Sequence, residues 1–416
     1  MQKRRVSEVG RTRAVVRAQE LKRDALDYLE VRDRITCGMD LAFQTRVEAR
    51  KRIILRVLGG TEDDWNDWKW QMKNRVRDAD LLAEILSISP LEKRRIASVG
   101  KTYRWAVSPY YLSLIGDDYR NDPVYLQSVP DIQELLPKGE LDPMDEEGTS
   151  PAPCVTRRYP DRLIINVTNQ CAMFCRHCQR RRNIGEVDRH ATRQEIKAAL
   201  QYVKANPEMR DVLVTGGDAL LLSDKTLEWI LMELDRIPHV EIKRIGTRVP
   251  VTLPQRVTPE LCEVLRKYPP IYINTQFNHP AEVTPEAKQA CDMLVQAGAV
   301  LGNQAVLLRG INDCPEVMRR LNHELLRIRV RPYYIFHPKP VRGTSHRWVS
   351  IQTGLEIMEA LRGHTSGLAV PTYIVNAPDG LGKIPLMPQY LLKLEPEKAV
   401  LRTWEGKIVE VENLSW

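Results

Sequence analysis

The chain has 416 residues, 43% of them hydrophobic and 28% charged, and this balance excludes a disordered or fibrous protein. No apolar run reaches the roughly 20 residues that a membrane helix needs, and the first residues lack the apolar segment of a secretory signal. The net charge is +8, and residues 1–60 hold nearly all of the excess, with 15 Lys and Arg against 8 Asp and Glu. We therefore expect a cytoplasmic protein with a basic N-terminal segment and no membrane partner.

Residues 1–60 are predicted to form a basic helical arm. The stretch "RAVVRAQELKRDALDYLEVRDR" has apolar residues at helical spacing and a charged face suited to solvent. Aromatic residues do not alternate with the basic ones, as they do on surfaces that stack nucleic-acid bases. A plain helical arm or an oligomerisation element is therefore favoured over a nucleic-acid-binding arm, and we expect a homo-oligomer, either a dimer or a tetramer.

Residues 61–155 are predicted to form a helical region that passes into a connecting segment. From "TEDDWNDWKWQMKNRVRD" onward, apolar residues recur at helical spacing and acidic residues precede the first turn. Between about 116 and 160 the chain is rich in Pro, Gly and acidic residues, as in "PKGELDPMDEEGTSPAPC". Such a composition is typical of a long connection that wraps toward the next unit.

After residue 160 the pattern changes to short β-branched runs that alternate with amphipathic helices. The runs are "RLIINVTN" (162–169), "DVLVTGGD" (211–218), "VEIKRIGTR" (240–248), "IYINTQFNH" (271–279), "VLGNQAVLLRG" (300–310) and "RPYYIFHP" (331–338). Six strand and helix pairs predict an α/β fold with a parallel sheet and right-handed crossovers, either an open sheet or part of a barrel.

Chemically active side chains follow these runs where the strands are predicted to end. The carboxyl ends of parallel strands meet at one edge, and that edge carries the active site in such folds. The residues there are the cysteine trio after the first run, Gly216, Gly217 and Asp218 after the second, Arg248 after the third, Asn278 and His279 after the fourth, and His337, Pro338 and Lys339 after the sixth.

The trio Cys171, Cys175 and Cys178 in "CAMFCRHC" indicates a metal centre. Thiolates bind zinc or iron–sulfur clusters, and structural zinc closes with four ligands. A fourth zinc ligand would have to be His177, squeezed between two of the cysteines, or a distant cysteine. Three cysteines instead suit a 4Fe-4S cluster that keeps one iron open for a ligand. The spacing therefore favours the cluster, with zinc as the alternative.

Longer motifs give a family resemblance that covers roughly residues 61–405. The motifs "WNDWKWQMKNR", "RYPDRLIINVTNQCAMFCRHCQRRR", "DVLVTGGDALLLSDKTLE", "GNQAVLLRGINDC" and "APDGLGKIPLMP" resemble those of the 2,3-aminomutases in the radical S-adenosylmethionine superfamily, typified by lysine 2,3-aminomutase. The resemblance implies a partial (β/α)6 barrel over residues 156–345, after the helical N-terminal region. It also implies a small C-terminal α+β extension over residues 346–416, with a pyridoxal-phosphate lysine and a closing hairpin.

The same resemblance implies an isomerase with three cofactors: a 4Fe-4S cluster, S-adenosylmethionine and pyridoxal 5'-phosphate. In the family, an external electron donor of the flavodoxin or ferredoxin type reduces the cluster, and a 5'-deoxyadenosyl radical starts the migration of an amino group from C2 to C3 of a small amino-acid substrate. The cofactors carry the difficult chemistry, and the protein positions them.

Individual positions can be matched to roles in that family. The match makes Cys171, Cys175 and Cys178 the cluster ligands. It assigns S-adenosylmethionine contacts to Gly216, Gly217, Asp218 and Gln304. Gln276 stands at a cofactor contact where the lysine enzymes carry histidine. Lys383 in "NAPDGLGKIP" corresponds to the catalytic lysine that holds pyridoxal phosphate. Arg158 and Arg162 in "RRYPDR" are assigned to its phosphate, since planar guanidinium groups suit a dianion.

The substrate assignment depends on where the chain departs from the lysine enzymes. Arg180 matches the residue that pairs with the substrate α-carboxylate. Two aspartates hold the substrate ammonium in the lysine enzymes, and those positions are Lys339 and Asn376 here. A cation and an amide donor suit a carboxylate. The exchange therefore predicts that L-glutamate is converted to β-glutamate (3-aminoglutarate).

Other functions stay open at this level. The chain could be a 2,3-aminomutase of another amino acid such as lysine, a radical enzyme that modifies RNA or protein, or a zinc-binding scaffold. A nucleic-acid partner is disfavoured because it leaves Lys383 and the paired exchange unexplained. Zinc is not expected, because no cysteine-rich tail accompanies Cys314 as in the lysine enzymes, and Cys314 is interpreted as an ordinary thiol.

Overall fold

The computed structural model describes residues 8–414, and their N-terminal part is helical, as the sequence predicts. Several helices begin at a capping side chain followed by proline, which fits the first helical position: Ser89, Ser108 and Asp122 each accept a backbone N–H of the first turn. The α-helices of this part are Glu8–Arg32 (α1), Leu41–Leu58 (α2), Glu62–Asn66 (α3), Trp68–Lys73 (α4), Ala79–Leu86 (α5), Pro90–Gly100 (α6), Pro109–Ser113 (α7) and Pro123–Ser128 (α8).

The described residues next form a nine-stranded sheet whose strand order follows the chain. Its strands are Val155–Thr156 (β1), Arg162–Thr168 (β2), Asp211–Gly216 (β3), Ile242–Gly246 (β4), Ile271–Thr275 (β5), Ala299–Val306 (β6), Arg331–Phe336 (β7), Thr372–Asn376 (β8) and Lys383–Leu386 (β9). Strands β2 to β8 are parallel, and β1 and β9 pair antiparallel at the two edges. Each of the six predicted runs coincides with one of β2–β7, with β6 beginning one residue before its run, and this confirms the partial barrel. Strand β8, from the C-terminal extension, adds a seventh parallel strand.

Helices connect the parallel strands, as parallel pairing requires. They are Arg193–Ala205 (α9), Asp224–Asp235 (α10), Val249–Thr252 (α11), Pro259–Arg266 (α12), Pro285–Gln296 (α13), Pro315–Arg327 (α14) and Ile351–Leu361 (α15). Helix α9 shows how they attach: Ile196, Ala199, Leu200 and Val203 recur at helical spacing and are buried. The core between helices and sheet is continuous with the apolar core of the N-terminal helices.

The connecting segment crosses the carboxyl ends of the strands. Its Glu140 donates its backbone N–H to Pro340 O at 2.8 Å and accepts one from Arg342 N at 2.8 Å. Met144 and Glu146 further along the segment are buried. The acidic segment that the sequence marks as a connection therefore also covers the end of the sheet where the chemistry is expected.

The terminal elements lie outside the barrel. Helix α1 packs on α14, where the Tyr28 ring meets His323 edge-on at 5.8 Å. A separate antiparallel sheet is formed by Leu391–Leu394 (β10), Lys398–Arg402 (β11) and Ile408–Glu412 (β12). Between residues 8 and 414, no helix is long and apolar enough to cross a membrane.

Candidate active site

A cavity of about 740 Å³ opens at the carboxyl end of the parallel strands. All of the site residues predicted from the sequence line it: Cys171, Cys175, Cys178, Gly216, Gly217, Asp218, Gln276, Gln304, Arg158, Arg162, Arg180, Lys339, Asn376 and Lys383. They are spread over a sequence interval of more than 200 residues. The fold thus brings the predicted cluster, cofactor and substrate residues into one enclosure, where their individual roles stay predictions.

The cysteine loop that follows β2 is held by the N-terminal helical region. Arg75 donates to the carbonyl oxygen of Cys171 at 2.6 Å, and the backbone N–H of Phe174 donates to Ala106 O at 3.0 Å. Arg176 donates to Arg104 O at 3.1 Å. The loop conformation is therefore fixed by contacts outside the barrel as well as by its own strand.

A buried carboxylate anchors the same loop from beneath. Glu134 is fully buried and accepts from Arg176 Nε at 2.9 Å and from Arg181 Nη2. Burial alone would raise the pKa of Glu134, but the two guanidinium groups outweigh it and hold that pKa below its usual range. The arginine-rich sequence around the cysteines is thus in part a structural anchor.

The three thiols suit a metal cluster in their chemistry. Burial raises the pKa of Cys171 well above its ordinary value and that of Cys178 to about 11, so metal binding must displace their protons. Arg248 donates to Cys175 Sγ at 2.9 Å, so a buried cation contacts this sulfur. Across residues 8–414, no three His, Cys, Asp or Glu side chains converge on a point that could hold one ion. The thiolates of a 4Fe-4S cluster bind different irons and need no such convergence.

The glycine pair after β3 lets two loops approach closely. A side chain at Gly216, whose φ is +131°, would collide with Thr168 O, and one at Gly217 would collide with Gln170 O. The backbone N–H of Asp218 donates to Gln170 O at 2.8 Å, directly before the first cysteine. Here glycine is needed because the β3 loop packs against the backbone of the cysteine loop.

The Asp218 carboxylate is buried within the protein's own hydrogen bonds. It accepts from Thr247 Oγ1 at 2.6 Å and from the Arg248 backbone N–H at 2.7 Å. Burial raises its pKa, and these hydrogen bonds oppose the rise. Asp218 therefore ties the β3 loop to the β4 loop, whereas the side chains of Gln276 and Gln304 make no hydrogen bond to other described residues and face the cavity.

Lys383 is the first residue of β9, and its side chain enters an aromatic part of the cavity. Its Nζ lies 5.5, 5.8 and 6.0 Å from the ring centres of Tyr159, Tyr334 and Phe336, and its backbone N–H donates to Tyr159 Oη at 2.9 Å. Burial, followed by the repulsion of Arg244 and two further arginines, lowers the pKa of Lys383 to about 8. A neutral amine is therefore accessible near neutral pH, as covalent catalysis by lysine requires.

The surroundings of Lys383 fit a phosphate dianion. Its pKa is lowered by Arg158 and Arg162 as well as by Arg244, so three guanidinium groups lie near it. Arg158 Nη2 is buried and makes no hydrogen bond of good geometry, although it lies 3.3 Å from Glu146 Oε1, and Arg162 stacks 3.9 Å from the Tyr159 ring centre. An unsatisfied buried guanidinium N–H is costly. A phosphate between these arginines would satisfy it.

Asn376 is the last residue of β8, and Lys339 follows the neighbouring parallel strand β7. Phe336 of β7 is in register with Ile374 of β8, which brings the two strand ends together. Asn376 Nδ2 is buried without a hydrogen-bond partner, and Lys339 makes no side-chain hydrogen bond or ion pair with the described residues. Burial, followed by repulsion from Arg180 and Arg158, lowers the pKa of Lys339 to about 7. Both donors are free to receive an anionic group.

Arg180 is oriented by a carboxylate from the connecting segment. Its Nε donates to Glu146 at 3.0 and 3.3 Å, and its two Nη groups make no hydrogen bond with the described residues. Arg158 Nη2 lies 3.3 Å from Glu146 Oε1, so one carboxylate is shared by two cavity arginines. The Nη edge of Arg180 remains available for a ligand carboxylate.

Sequence reasoning assigned no role to Arg244 and Arg248, which line this cavity, or to Glu146, which contacts two of its arginines. Glu146 lies in an acidic loop whose composition indicates solvent exposure, and no local pattern signals its burial. Arg248 stands at a predicted strand end, which was a usable signal. Arg244 pairs with Asp211 at 2.6 Å inside the barrel, and the strict alternation of side chains along β4 could have placed it there.

Comparisons with known proteins agree with this geometry. A family model described as Radical SAM superfamily matches residues 165–321, and one described as Lysine-2,3-aminomutase matches residues 358–413. The chain is 56% identical to a glutamate 2,3-aminomutase of Clostridioides difficile (strain 630) over 95% of this chain and 94% of that protein. It is 50% identical to an L-lysine 2,3-aminomutase of Fusobacterium nucleatum subsp. nucleatum over 87% of this chain and 85% of that protein. With one of Clostridium subterminale, the identity is 49% over 84% of each chain.

Proposed function

The chain belongs to the radical S-adenosylmethionine 2,3-aminomutases, and on that premise we propose that it converts L-glutamate to β-glutamate with the help of pyridoxal phosphate. Membership in the superfamily implies that the enzyme uses a 4Fe-4S cluster and S-adenosylmethionine. In the reaction the amino group moves from C2 to C3 while one hydrogen moves from C3 to C2. The product is an isomer, and no atom is gained or lost.

The observation that carries the choice of glutamate is the pair of free donors Lys339 and Asn376. Both line the cavity on adjacent strand ends, and no other described side chain uses their donors. A substrate carboxylate between them would gain charge-assisted hydrogen bonds. A substrate ammonium would instead meet the Lys339 cation, and two like charges about 4 Å apart cost about 4 kcal/mol at an intermediate dielectric. The identity with a relative named glutamate 2,3-aminomutase supports the same choice.

Two-point attachment of glutamate would set the position of its reacting carbons. The free Nη edge of Arg180 is suited to the α-carboxylate, and Lys339 with Asn376 to the side-chain carboxylate. When bound, the cluster and S-adenosylmethionine supply the one-electron chemistry that removes a hydrogen atom, and pyridoxal phosphate supplies the carbonyl group that carries the amino nitrogen. Because both ends of the substrate are held, its reacting carbons are oriented before the reaction, and less entropy is lost at the reaction step.

The remaining residues would bind the phosphate, hold a proton and keep water out. Arg158 and Arg162 would bind the phosphate, and Lys383 Nζ, with its pKa of about 8, can give up or take a proton near neutral pH. The connecting segment covers the cavity with buried Met144 and Glu146. An enclosed site strengthens the charge pairs and protects reactive carbon centres from side reactions.

The test is anaerobic turnover of the reconstituted enzyme with S-adenosylmethionine and dithionite, with L-glutamate and L-lysine supplied separately. We expect β-glutamate as the product and no β-lysine above the protein-free background. β-Lysine as the main product would overturn the choice of glutamate, and formation of neither product would overturn the proposed mutase.

Pyridoxal phosphate is tested separately by borohydride reduction and peptide mass analysis. We expect a pyridoxyl group on the peptide that contains Lys383 and none in Lys383→Ala. The matched control is Lys393→Ala, because Lys393 is an exposed lysine of β10 outside the cavity. Labelling that persists in Lys383→Ala would move the attachment to another lysine.

A further inference from the structure

A second cavity, a groove of about 1020 Å³, lies on the outer side of the cysteine loop. One wall is formed by residues 75–106 of the N-terminal helical region and the other by residues 181–188 after the cysteines. Exposed cations line it, namely Arg77, Arg94, Lys101, Arg182 and Arg342. We call this surface the basic groove, and the proposed function gives it no role.

The basic groove keeps a positive surplus after its internal ion pairs are formed. Asp188 is neutralised by Arg75 and Arg104, and Asp80 by Lys93 at 2.6 Å. By contrast, the four exposed cations Arg77, Arg94, Lys101 and Arg342 form no ion pair with the described residues, and they outnumber Asp78 and Glu186, the two other acidic residues that line the groove. Unpaired cations along one groove attract an acidic surface and speed its encounter.

The lining of the groove has an apolar component. Leu141 and Val187 line it and are 57% and 71% exposed. Large exposed apolar side chains ringed by charges are typical of a protein interface. Aromatic stacking surfaces for nucleic-acid bases are missing among the described groove residues: Trp105 is buried, and the Tyr103 ring is covered by Arg181 at 4.1 Å. The surface therefore suits an acidic protein better than RNA.

The groove is also close to the predicted cluster. Ile184 and Val341 line both the groove and the active-site cavity, so in places a single side chain separates them. The groove residue Arg75 donates to the carbonyl oxygen of Cys171 at 2.6 Å. Three covalent bonds lead from the Cys171 carbonyl carbon to its thiol sulfur. A bonded path therefore connects the groove wall to a cluster ligand.

We propose that the basic groove docks the enzyme's one-electron donor, an acidic protein that carries a reduced flavin or iron–sulfur group. This inference rests on the proposed function, because the aminomutase reaction needs a reduced cluster. One electron leaves the donor, which is oxidised by one electron, and enters the oxidised cluster, whose charge changes from 2+ to 1+. No covalent bond forms or breaks in this step, and the donor then dissociates.

The test compares two charge-reversal variants with the same change in net charge. The groove variant combines Arg77→Glu, Arg94→Glu and Lys101→Glu, and the control combines Lys197→Glu, Lys204→Glu and Lys225→Glu, exposed lysines of α9 and α10. The affinity of each holoenzyme for an acidic flavodoxin is measured at 50 and 200 mM salt. Reduction of the cluster by the reduced flavodoxin is followed by electron paramagnetic resonance, and turnover with dithionite is measured in parallel.

We expect the groove variant to bind flavodoxin at least tenfold more weakly and to lose the salt dependence of binding, while the control stays within twofold of the parent. Cluster reduction by flavodoxin should slow in proportion, with dithionite-driven turnover unchanged. Equal loss in both variants would overturn the groove as the docking site, as would binding of a transfer RNA that only the groove variant loses, with flavodoxin binding intact. If the parent enzyme did not turn over with dithionite, the proposed function would be wrong, and the docking proposal would lose its premise.

Discussion

Asn376 and Lys383 face each other directly across the antiparallel pair of β8 and β9. Opposed residues in such a pair have Cβ atoms about 5 Å apart. The hairpin between them is short, and Ala377 donates its backbone N–H to Gly382 O at 2.9 Å. The proposed substrate residue and the proposed cofactor lysine are therefore held opposite each other on the two strands of one hairpin. A ligand bound at Asn376 lies within reach of the Lys383 side chain.

Reversing the charge at the proposed carboxylate subsite should exchange the substrate. In Lys339→Asp combined with Asn376→Asp, glutamate would meet two carboxylates. We expect its kcat/KM to fall by about 10³-fold or more, since each lost charge-assisted hydrogen bond is worth roughly 1.5–3 kcal/mol. Lysine turnover should rise above the parent level. The measurement is the kcat/KM of both amino acids under anaerobic conditions.

The matched control for this exchange is Asp379→Asn, a change in the same hairpin at an exposed residue. It should leave the preference for glutamate unchanged. If the double variant keeps that preference, then Lys339 and Asn376 do not contact the substrate side chain and the specificity argument is wrong.

The lowered pKa of Lys339 predicts a pH dependence of substrate binding. Burial and the repulsion of Arg180, Arg158 and Lys383 outweigh Glu146 and place this pKa at about 7, so the ammonium is charged below pH 7 and neutral above it. Glutamate binding then takes up one proton above pH 7, and its KM should rise by about tenfold per pH unit. In Lys339→Arg the guanidinium stays protonated, so this rise should disappear.

The measurement is the KM for glutamate between pH 6 and 9 in both enzymes. A rise in KM that occurs in both enzymes would come from the titration of other groups, such as the substrate amine or Lys383. Identical profiles in the parent and in Lys339→Arg would show that the side chain at position 339 does not titrate against the substrate.

A residue's environment can be predicted from the sequence when its neighbours in the chain determine that environment. The strands β2–β7 are predictable because each is a β-branched run bounded by turn residues, and motif spacing points to the cysteines and Lys383. The environment of Glu146 depends on a segment folding back over the sheet, and an acidic loop carries no local sign of that. Strand β8 lies beyond the six alternating runs, and its parallel pairing with β7 and its contact with α15 are tertiary contacts that the local pattern does not signal.

Removing the buried charge of Glu134 should destabilise the cysteine loop. Glutamine at this position leaves Arg176 and Arg181 without their counter-charge, and breaking a buried ion pair in this way costs about 3–5 kcal/mol. We expect Glu134→Gln to lower the free energy of unfolding by about that amount and to reduce iron uptake during reconstitution. Urea unfolding of the metal-free protein and iron analysis measure the two effects.

The control is Glu62→Gln, which removes a surface ion pair with Lys51. Such pairs contribute little, so its unfolding and iron content should match those of the parent. Parent-like stability in Glu134→Gln would mean that the guanidinium groups find other partners and that the carboxylate does not anchor the loop.

Glu146 should affect glutamate turnover through Arg180 and Lys339. Glu146→Gln removes the charge-assisted hydrogen bond that orients Arg180 Nε, and a loss of roughly 1.5–3 kcal/mol corresponds to about a 10–100-fold lower kcat/KM. It also removes the carboxylate that raises the pKa of Lys339, so that pKa should fall from its value of about 7. The pH at which the KM for glutamate begins to rise should move down with it.

The control, Glu147→Gln, changes a neighbouring side chain that is 89% exposed and should alter neither quantity. A lower KM in Glu146→Gln without a shift in the pH profile would instead make Glu146 a competitor of the substrate carboxylate.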